Sequence, residues 1–263
     1  LAERNNFYLS FAVAQKEPTR SDFTDRYKFA ADDTYPSSEK LYDWELGYQY
    51  TAPRLSLGVN LYYMKYKDQL VPTGMVNDDS NALNTNVPDS YRRGVELSAS
   101  WRATGWFTVG ANATFSQNRI ENYVDALKDS PTYGKELSDM TIAYSPDVIA
   151  NAFLNFHHRG FEAVFHTQHV GKQYFTNNEN DALSLDAYCV TNLNLAYTFR
   201  TRSARSVRLG LLINNLFNAE YESNGYGYSY MDTWSGPAPV RIDEAYYFPQ
   251  APLNVLANVT VKF

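Results

Sequence analysis

Leu55-Ser56-Leu57-Gly58-Val59-Asn60-Leu61-Tyr62-Tyr63-Met64 is the stretch that decides the fold. Leu55, Leu57, Val59, Leu61 and Tyr63 fall on one side, and Ser56, Gly58, Asn60, Tyr62 and Met64 on the other. A period of two belongs to a strand, whose successive side chains point to opposite faces. The same scheme recurs further along. Phe107, Val109, Ala111, Ala113 and Phe115 alternate with Thr108, Gly110, Asn112, Thr114 and Ser116. At the C-terminus Leu253, Val255, Ala257, Val259, Val261 and Phe263 alternate with Asn254, Leu256, Asn258, Thr260 and Lys262.

About ten such segments, each roughly 10–14 residues long, lie near 5–15, 41–51, 55–67, 92–103, 106–118, 148–157, 161–171, 187–200, 205–214 and 250–263. The pair at 148–157 and 161–171 is the least regular, with Phe153 and Val164 on the polar side. Strands of soluble proteins usually run about five or six residues, whereas a tilted membrane-crossing strand needs about 9–11. The connections are long at 16–40, 68–91, 119–147 and 215–249, moderate at 172–186, and short at 52–54, 104–105, 158–160 and 201–204. Short turns at one end and long loops at the other is the layout of an outer-membrane barrel. Aromatics gather near strand ends: Tyr42, Trp44, Tyr48 and Tyr50; Tyr62, Tyr63 and Tyr66; Trp101, Trp106 and Phe107; Tyr197 and Phe199. Their amphipathic rings suit the membrane–water boundary, although aromatics also favour strands in general.

Composition excludes several classes. A helical membrane protein needs about twenty consecutive apolar residues, and no such window occurs. The one cysteine, Cys189, makes neither a disulfide framework nor a Cys-rich metal site. A formal charge of -6 leaves no basic footprint for nucleic acid. In hydrocarbon every backbone N–H and C=O must be paired, so a sheet there has to close on itself. The expected fold class is therefore all-β, a transmembrane antiparallel β-barrel, and residues 1–263 are expected to be part of a larger one. The first strand starts almost at residue 1 with no signal peptide before it, and the loops are very long for a small barrel.

Five short motifs carry a resemblance. Phe7-Tyr8-Leu9-Ser10-Phe11-Ala12-Val13-Ala14 is followed by Glu17-Pro18-Thr19-Arg20-Ser21-Asp22-Phe23. Then come Glu45-Leu46-Gly47-Tyr48, Leu61-Tyr62-Tyr63-Met64, Arg93-Gly94-Val95-Glu96-Leu97, and finally Asn214-Asn215-Leu216-Phe217-Asn218-Ala219-Glu220-Tyr221. In this order they resemble TonB-dependent outer-membrane receptors, particularly those of Bacteroidetes, and the terminal Phe263 resembles the aromatic end of outer-membrane proteins. The resemblance implies a barrel of about 22 strands with an N-terminal plug, of which the ten strands here would be the last ten. It also implies TonB-coupled uptake through a plug that this chain lacks.

Among candidate site residues, His157 and His158 sit in a short turn beside Arg159-Gly160, and His166 and His169 fall on opposite faces of one strand. A shared metal is not expected from them. Ser, His and Asp are all present, but no Gly-x-Ser-x-Gly turn marks a nucleophile, so no enzyme is expected. Asp32-Asp33 and Asp78-Asp79 are paired carboxylates in long loops. A structural calcium at Asp78 and Asp79 is set against a solvated acidic loop, since the spacing matches no known calcium loop. Asn224-Gly225-Tyr226-Gly227-Tyr228-Ser229-Tyr230, with Trp234 nearby, is the best ligand-contact candidate. Tyr and Trp offer large rigid faces, and Gly lets a loop shape itself around a ligand. The competing reading is a loop packed on its neighbours or on lipopolysaccharide. Acidic excess in 68–91 and 215–249 would repel strongly anionic chelates.

The expected function is an outer-membrane active transporter that binds a scarce nutrient at extracellular loops, a ferric siderophore or other metal chelate first. Cobalamin, haem or an oligosaccharide stays open as cargo, and a passive channel is the rival function. Expected partners are TonB through the plug, the chelate, outer-membrane lipid with lipopolysaccharide, and a surface lipoprotein, with no nucleic acid. Long loops would be extracellular, and short turns and the C-terminus periplasmic.

Overall fold

The structure is a computed structural model and describes residues 3–29, 35–77, 81–127 and 132–263. Its elements in chain order are β1 (Asn5–Lys16), α1 (Arg20–Phe29), β2 (Glu39–Thr51), β3 (Leu55–Val76), β4 (Ala82–Arg102), β5 (Phe107–Val124), β6 (Glu136–Thr141), β7 (Val148–His158) and β8 (Phe161–Val170). There follow β9 (Gln173–Tyr174), β10 (Ser184–Leu185), β11 (Tyr188–Phe199), β12 (Ser206–Asn214), β13 (Glu222–Asp232), β14 (Val240–Pro249) and β15 (Asn254–Lys262). The ten expected strands are all present, and they pair antiparallel in the order β1-β2-β3-β4-β5-β7-β8-β11-β12-β15. The chain is thus a partial barrel. Among the described residues β1 bonds only β2, and β15 only β12.

Burial along the strands is inverted relative to a soluble sheet. Leu57, Val59, Leu61 and Tyr63 are 38–45% exposed, while Ser56, Gly58, Asn60 and Tyr62 between them are half-buried. Water does not tolerate a continuous apolar face of this kind, so the face belongs in lipid. Phe11, Trp44 and Tyr63 lie in one cross-strand row, with ring centroids 5.1 Å and 5.8 Å apart. At the opposite end Phe107 stacks on Phe156 at 4.5 Å, beside Trp106 at 6.0 Å and 6.2 Å from them. Between Tyr63 and Leu55, which faces Trp101, eight residues span about 26 Å at the strand rise, the height of an outer-membrane apolar band. Beyond the first row the same face turns charged. Lys65 lies 2.9 Å from Asp89 and 2.6 Å from Glu121, Lys67 also pairs with Asp89, and Arg93, level with Tyr63 itself, donates to Gln117 at 2.6 Å and 2.8 Å.

The polar face explains the irregular pair. Tyr8 stands opposite Gly47, Tyr62 opposite Gly94 and Phe153 opposite Gly110. A Cβ on Gly47 would come within 2.0 Å of the Tyr8 ring, and one on Gly110 within 2.4 Å of the Phe153 ring. Each aromatic therefore lies flat over a bare glycine across the strand. Phe153 sits on the polar side because Gly110 vacates the space.

The long connections differ most from expectation, because they are folded. Segment 16–40 contains α1. Pro18 stops β1, and Thr19 caps the helix: its N–H and its hydroxyl both donate to the Asp22 carboxylate at 2.7 Å. Asp22 in turn accepts from Asn84 of β4 at 2.9 Å. Strands β3, β4 and β5 run well past the charged row, and β6 adds to β5. There Val71, Val87, Ile120, Tyr123 and Ile142 form a core of their own, flanked by Leu137 and Met140.

Candidate functional site

Segment 171–187 is the keystone of this cap. Asn177 is fully buried, donates to the Pro72 carbonyl at 2.6 Å and accepts from the Ala143 N–H at 2.7 Å. Glu179 takes the Arg119 guanidinium at 2.9 Å and the Thr141 N–H at 3.0 Å. One short segment thereby ties the β3 extension to the β5–β7 connection. Its other side presents Phe175, Leu183 and Leu185, all buried, to the β13–β14 hairpin.

That hairpin is the candidate ligand-contact loop. It leaves β12 through the Asn214–Tyr221 motif, where Asn215 and Asn218 hold positive φ angles of 51° each. The Asn215 side chain donates to Ala219 O at 2.8 Å and accepts from Ala219 N at 2.8 Å, which closes the turn locally. The hairpin then splits into two faces at period two. Gly225, Gly227 and Ser229 face the keystone. A Cβ at Gly227 would meet Leu183 at 2.8 Å and both Phe175 and the Glu244 carbonyl at 2.9 Å. The glycines therefore let the strand lie directly on Phe175 and Leu183, a narrower purpose than shaping the loop around a ligand. Replacing Gly227 by Ala is expected to lift the hairpin at a cost of about 1–3 kcal/mol, seen as faster proteolysis between residues 222 and 249. Unchanged proteolysis would show that the two faces are assigned the wrong way round. On the same side Arg241 holds Asp243 at 2.9 Å, and buried Ser229 donates to Asp243 at 2.6 Å.

The opposite face carries the aromatic rings. Tyr226 stacks on Tyr246 at 4.9 Å with planes 13° apart, and Phe248 joins at 6.1 Å. Tyr228 lies 6.3 Å from Tyr246 and 6.4 Å from Tyr230. In the middle stands Glu244, which accepts from the Tyr228 and Tyr246 hydroxyls at 2.8 Å each and from Tyr230 at 3.1 Å. These three donors hold the Glu244 carboxyl below the usual carboxylate range, and the carboxylate pushes all three phenols up. The arrangement is therefore intact above the ordinary carboxylate range and is lost only as pH falls through the lowered Glu244 value.

The structure brings together Tyr226, Tyr228 and Tyr230 as one surface. Trp234 stands apart at the hairpin tip, 86% exposed, its N–H donating to Asp232 at 2.9 Å. Asp78 and Asp79, the calcium candidates, lie outside the described residues, as do Asp32 and Asp33. His157 and His158 close β7 rather than sit in the turn, and His166 and His169 are three apart on β8. Among the described residues no group of His, Cys, Asp and Glu could hold a metal ion. Glu244, Tyr246 and Phe248 were missed from sequence. Their signal is a second period-two run, set 18 residues after the first across a Ser-, Gly- and Pro-rich turn.

The hairpin also meets the sheet, since β13 contacts β3. On the polar face of the sheet the strands present Asn60, Glu96, Asn112 and Asn151, with Asn60 donating to Glu96 at 3.2 Å and Asn151 to Asn112 at 3.2 Å. Asn60, Glu96 and Asn112 line a polar, concave face of the sheet. Solved structures share the fold. The ferric yersiniabactin uptake receptor of Yersinia pestis matches at a TM-score of 0.67 and 20% identity, over 100% of this chain and 36% of that one. The copper transporter OprC matches at 0.71 and 19% identity, over 100% and 38%. The ferric-catecholate import receptor of E. coli K12 matches at 0.64 and 18% identity, over 98% and 33%. The chain spans little more than a third of the length of these structures. The model of the TonB dependent receptor-like β-barrel family matches residues 1–216, and the chain belongs to that outer-membrane family.

Proposed function

We propose that residues 1–263 are the C-terminal portion of the barrel of a TonB-coupled importer, which captures a scarce metal chelate at its long connections and passes it along the concave wall. The observation that carries the proposal is the exposed Tyr226–Tyr246–Phe248 surface, held rigidly by its glycine face on the folded cap. A preorganised aromatic surface binds a flat or ring-bearing ligand without first paying to order a loop. A ferric yersiniabactin uptake receptor and a copper transporter among the structures of like fold make a metal chelate the favoured cargo, and no covalent bond within the chelator is made or broken. In this account the hairpin faces the cell exterior, the short turns and Phe263 face the periplasm, and energy reaches the barrel from TonB through a plug. The charged row beyond Tyr63 meets lipopolysaccharide. Changing Tyr226, Tyr228 and Trp234 together to Ala in the full-length receptor is expected to weaken chelate binding tenfold or more, each lost ring contact being worth about 0.5–1.5 kcal/mol. Barrel assembly should be untouched. Full affinity in an assembled triple variant would remove the hairpin from the capture site.

A further inference from the structure

The stacking of rings accounts for Tyr226 and Phe248, but not for three phenols converging on one half-buried carboxylate. One Glu244 oxygen lies 2.8 Å from the hydroxyl oxygens of both Tyr228 and Tyr246. The other lies 3.1 Å from Tyr230. In an octahedron with metal–oxygen bonds of about 2.0–2.1 Å, neighbouring oxygens are about 2.8–3.0 Å apart. The Glu244 oxygen therefore already stands at octahedral-edge spacing from each of the two phenol oxygens. The donors are all hard oxygens, and phenolate is a ligand that proteins use for ferric iron. The connection that carries them holds Glu220, Glu222, Asp232, Asp243 and Glu244 against a single basic residue, Arg241. Its field draws in cations and repels anionic chelates.

We propose that Glu244, Tyr228 and Tyr246, with Tyr230 adjoining, form an oxygen-donor site that accepts ferric iron from a weak, labile chelate. The proposal rests on the reading of the hairpin as a capture surface and names what is captured there: the metal itself, through its open coordination positions. Binding forms two iron–phenolate bonds and one iron–carboxylate bond. Each phenol gives its proton to solvent, the weak chelator yields the positions it held, and iron stays ferric throughout. A divalent hard ion lacks the charge density to displace those protons, so the site discriminates by charge.

The test is to titrate the full-length receptor in detergent with ferric nitrilotriacetate and follow visible absorption. A phenolate-to-iron charge-transfer band saturating near one iron per chain is expected. The double variant Tyr228→Phe/Tyr246→Phe keeps both rings and their stacking and should lose the band, and Glu244→Gln should weaken it at least tenfold. Tyr197→Phe, at the far end of the barrel, should leave it unchanged. Absence of the band in the unaltered receptor, or its survival in the double variant, overturns the iron site. If the ring-to-Ala triple variant still loses a chelate in that case, the capture surface stands and only its direct contact with the metal falls.

Discussion

Tyr123→Ala should unfasten the cap from the barrel and cost about 3–5 kcal/mol, the range for removing a large buried aromatic. Tyr123 is 1% exposed among Val71, Val87, Ile120 and Ile142, and its hydroxyl donates to the Thr73 carbonyl at 3.1 Å. It therefore joins β5 to the β3 extension both by packing and by a hydrogen bond. The membrane-crossing parts of β3, β4 and β5 rest on their own ladders and should not notice the change. Amide hydrogen exchange separates the two regions: protection should fall across residues 70–76, 82–88, 120–124 and 136–142 and hold across 56–62 and 94–100. Tyr123→Phe keeps the ring and loses only the hydrogen bond, at about 1 kcal/mol. Since Asn177 carries the same cap to the hairpin, ligand affinity should drop with the Ala variant and stay near normal with Phe. Uniform loss of protection over both regions would mean that cap and barrel unfold as one unit.

The parts of the molecule that sequence made legible are those where one solvent acts on one face. Leu57, Val59 and Leu61 must meet lipid and Gly58 and Asn60 must not, so period two is enforced residue by residue and the strand can be read directly. Beyond Lys65 that constraint disappears. The described residues of 68–91 face water, a neighbouring connection or a small core in turn. Their pattern is Val71, Val87 and a run of Asn, Asp and Thr, which reads as loop although β3 and β4 continue through most of it. Strand there is imposed by tertiary pairing and by Tyr123 and Asn177, which come from far along the chain. The site was half legible for a related reason. Tyr226, Tyr228 and Tyr230 stood out as exposed rings in a glycine-rich segment. What makes them a surface is the register Tyr226 to Tyr246 and Tyr228 to Glu244, fixed by a turn whose length sequence did not settle. The glycines were equally visible, but their partners Phe175 and Leu183 lie 44–52 residues upstream, in a connection that carries no pattern of its own.

Val59→Arg should impair barrel assembly, whereas Asn60→Lys, one residue along, should be nearly silent. Val59 is 39% exposed and lies midway between Leu55, opposite Trp101, and Tyr63, in the aromatic row. It is thus near the centre of the apolar band, where Arg or Lys on the lipid face costs about 2–4 kcal/mol. Hydrocarbon offers no partner for the guanidinium, and the nearest charge on that face, Arg93 opposite Tyr63, is four residues up the strand. Asn60 points to the other side, where its amide already donates to Glu96 at 3.2 Å. A Lys there replaces one donor by a charged one beside a carboxylate and stays in the polar wall. The readout is the fraction of receptor that resists unfolding in unboiled gel electrophoresis after refolding into lipid vesicles. A large loss for Val59→Arg and little for Asn60→Lys places lipid on the exposed apolar face. Equal losses would mean that both faces are packed against protein. The reverse order would turn the sheet inside out, because a strand has no third direction in which to point a side chain.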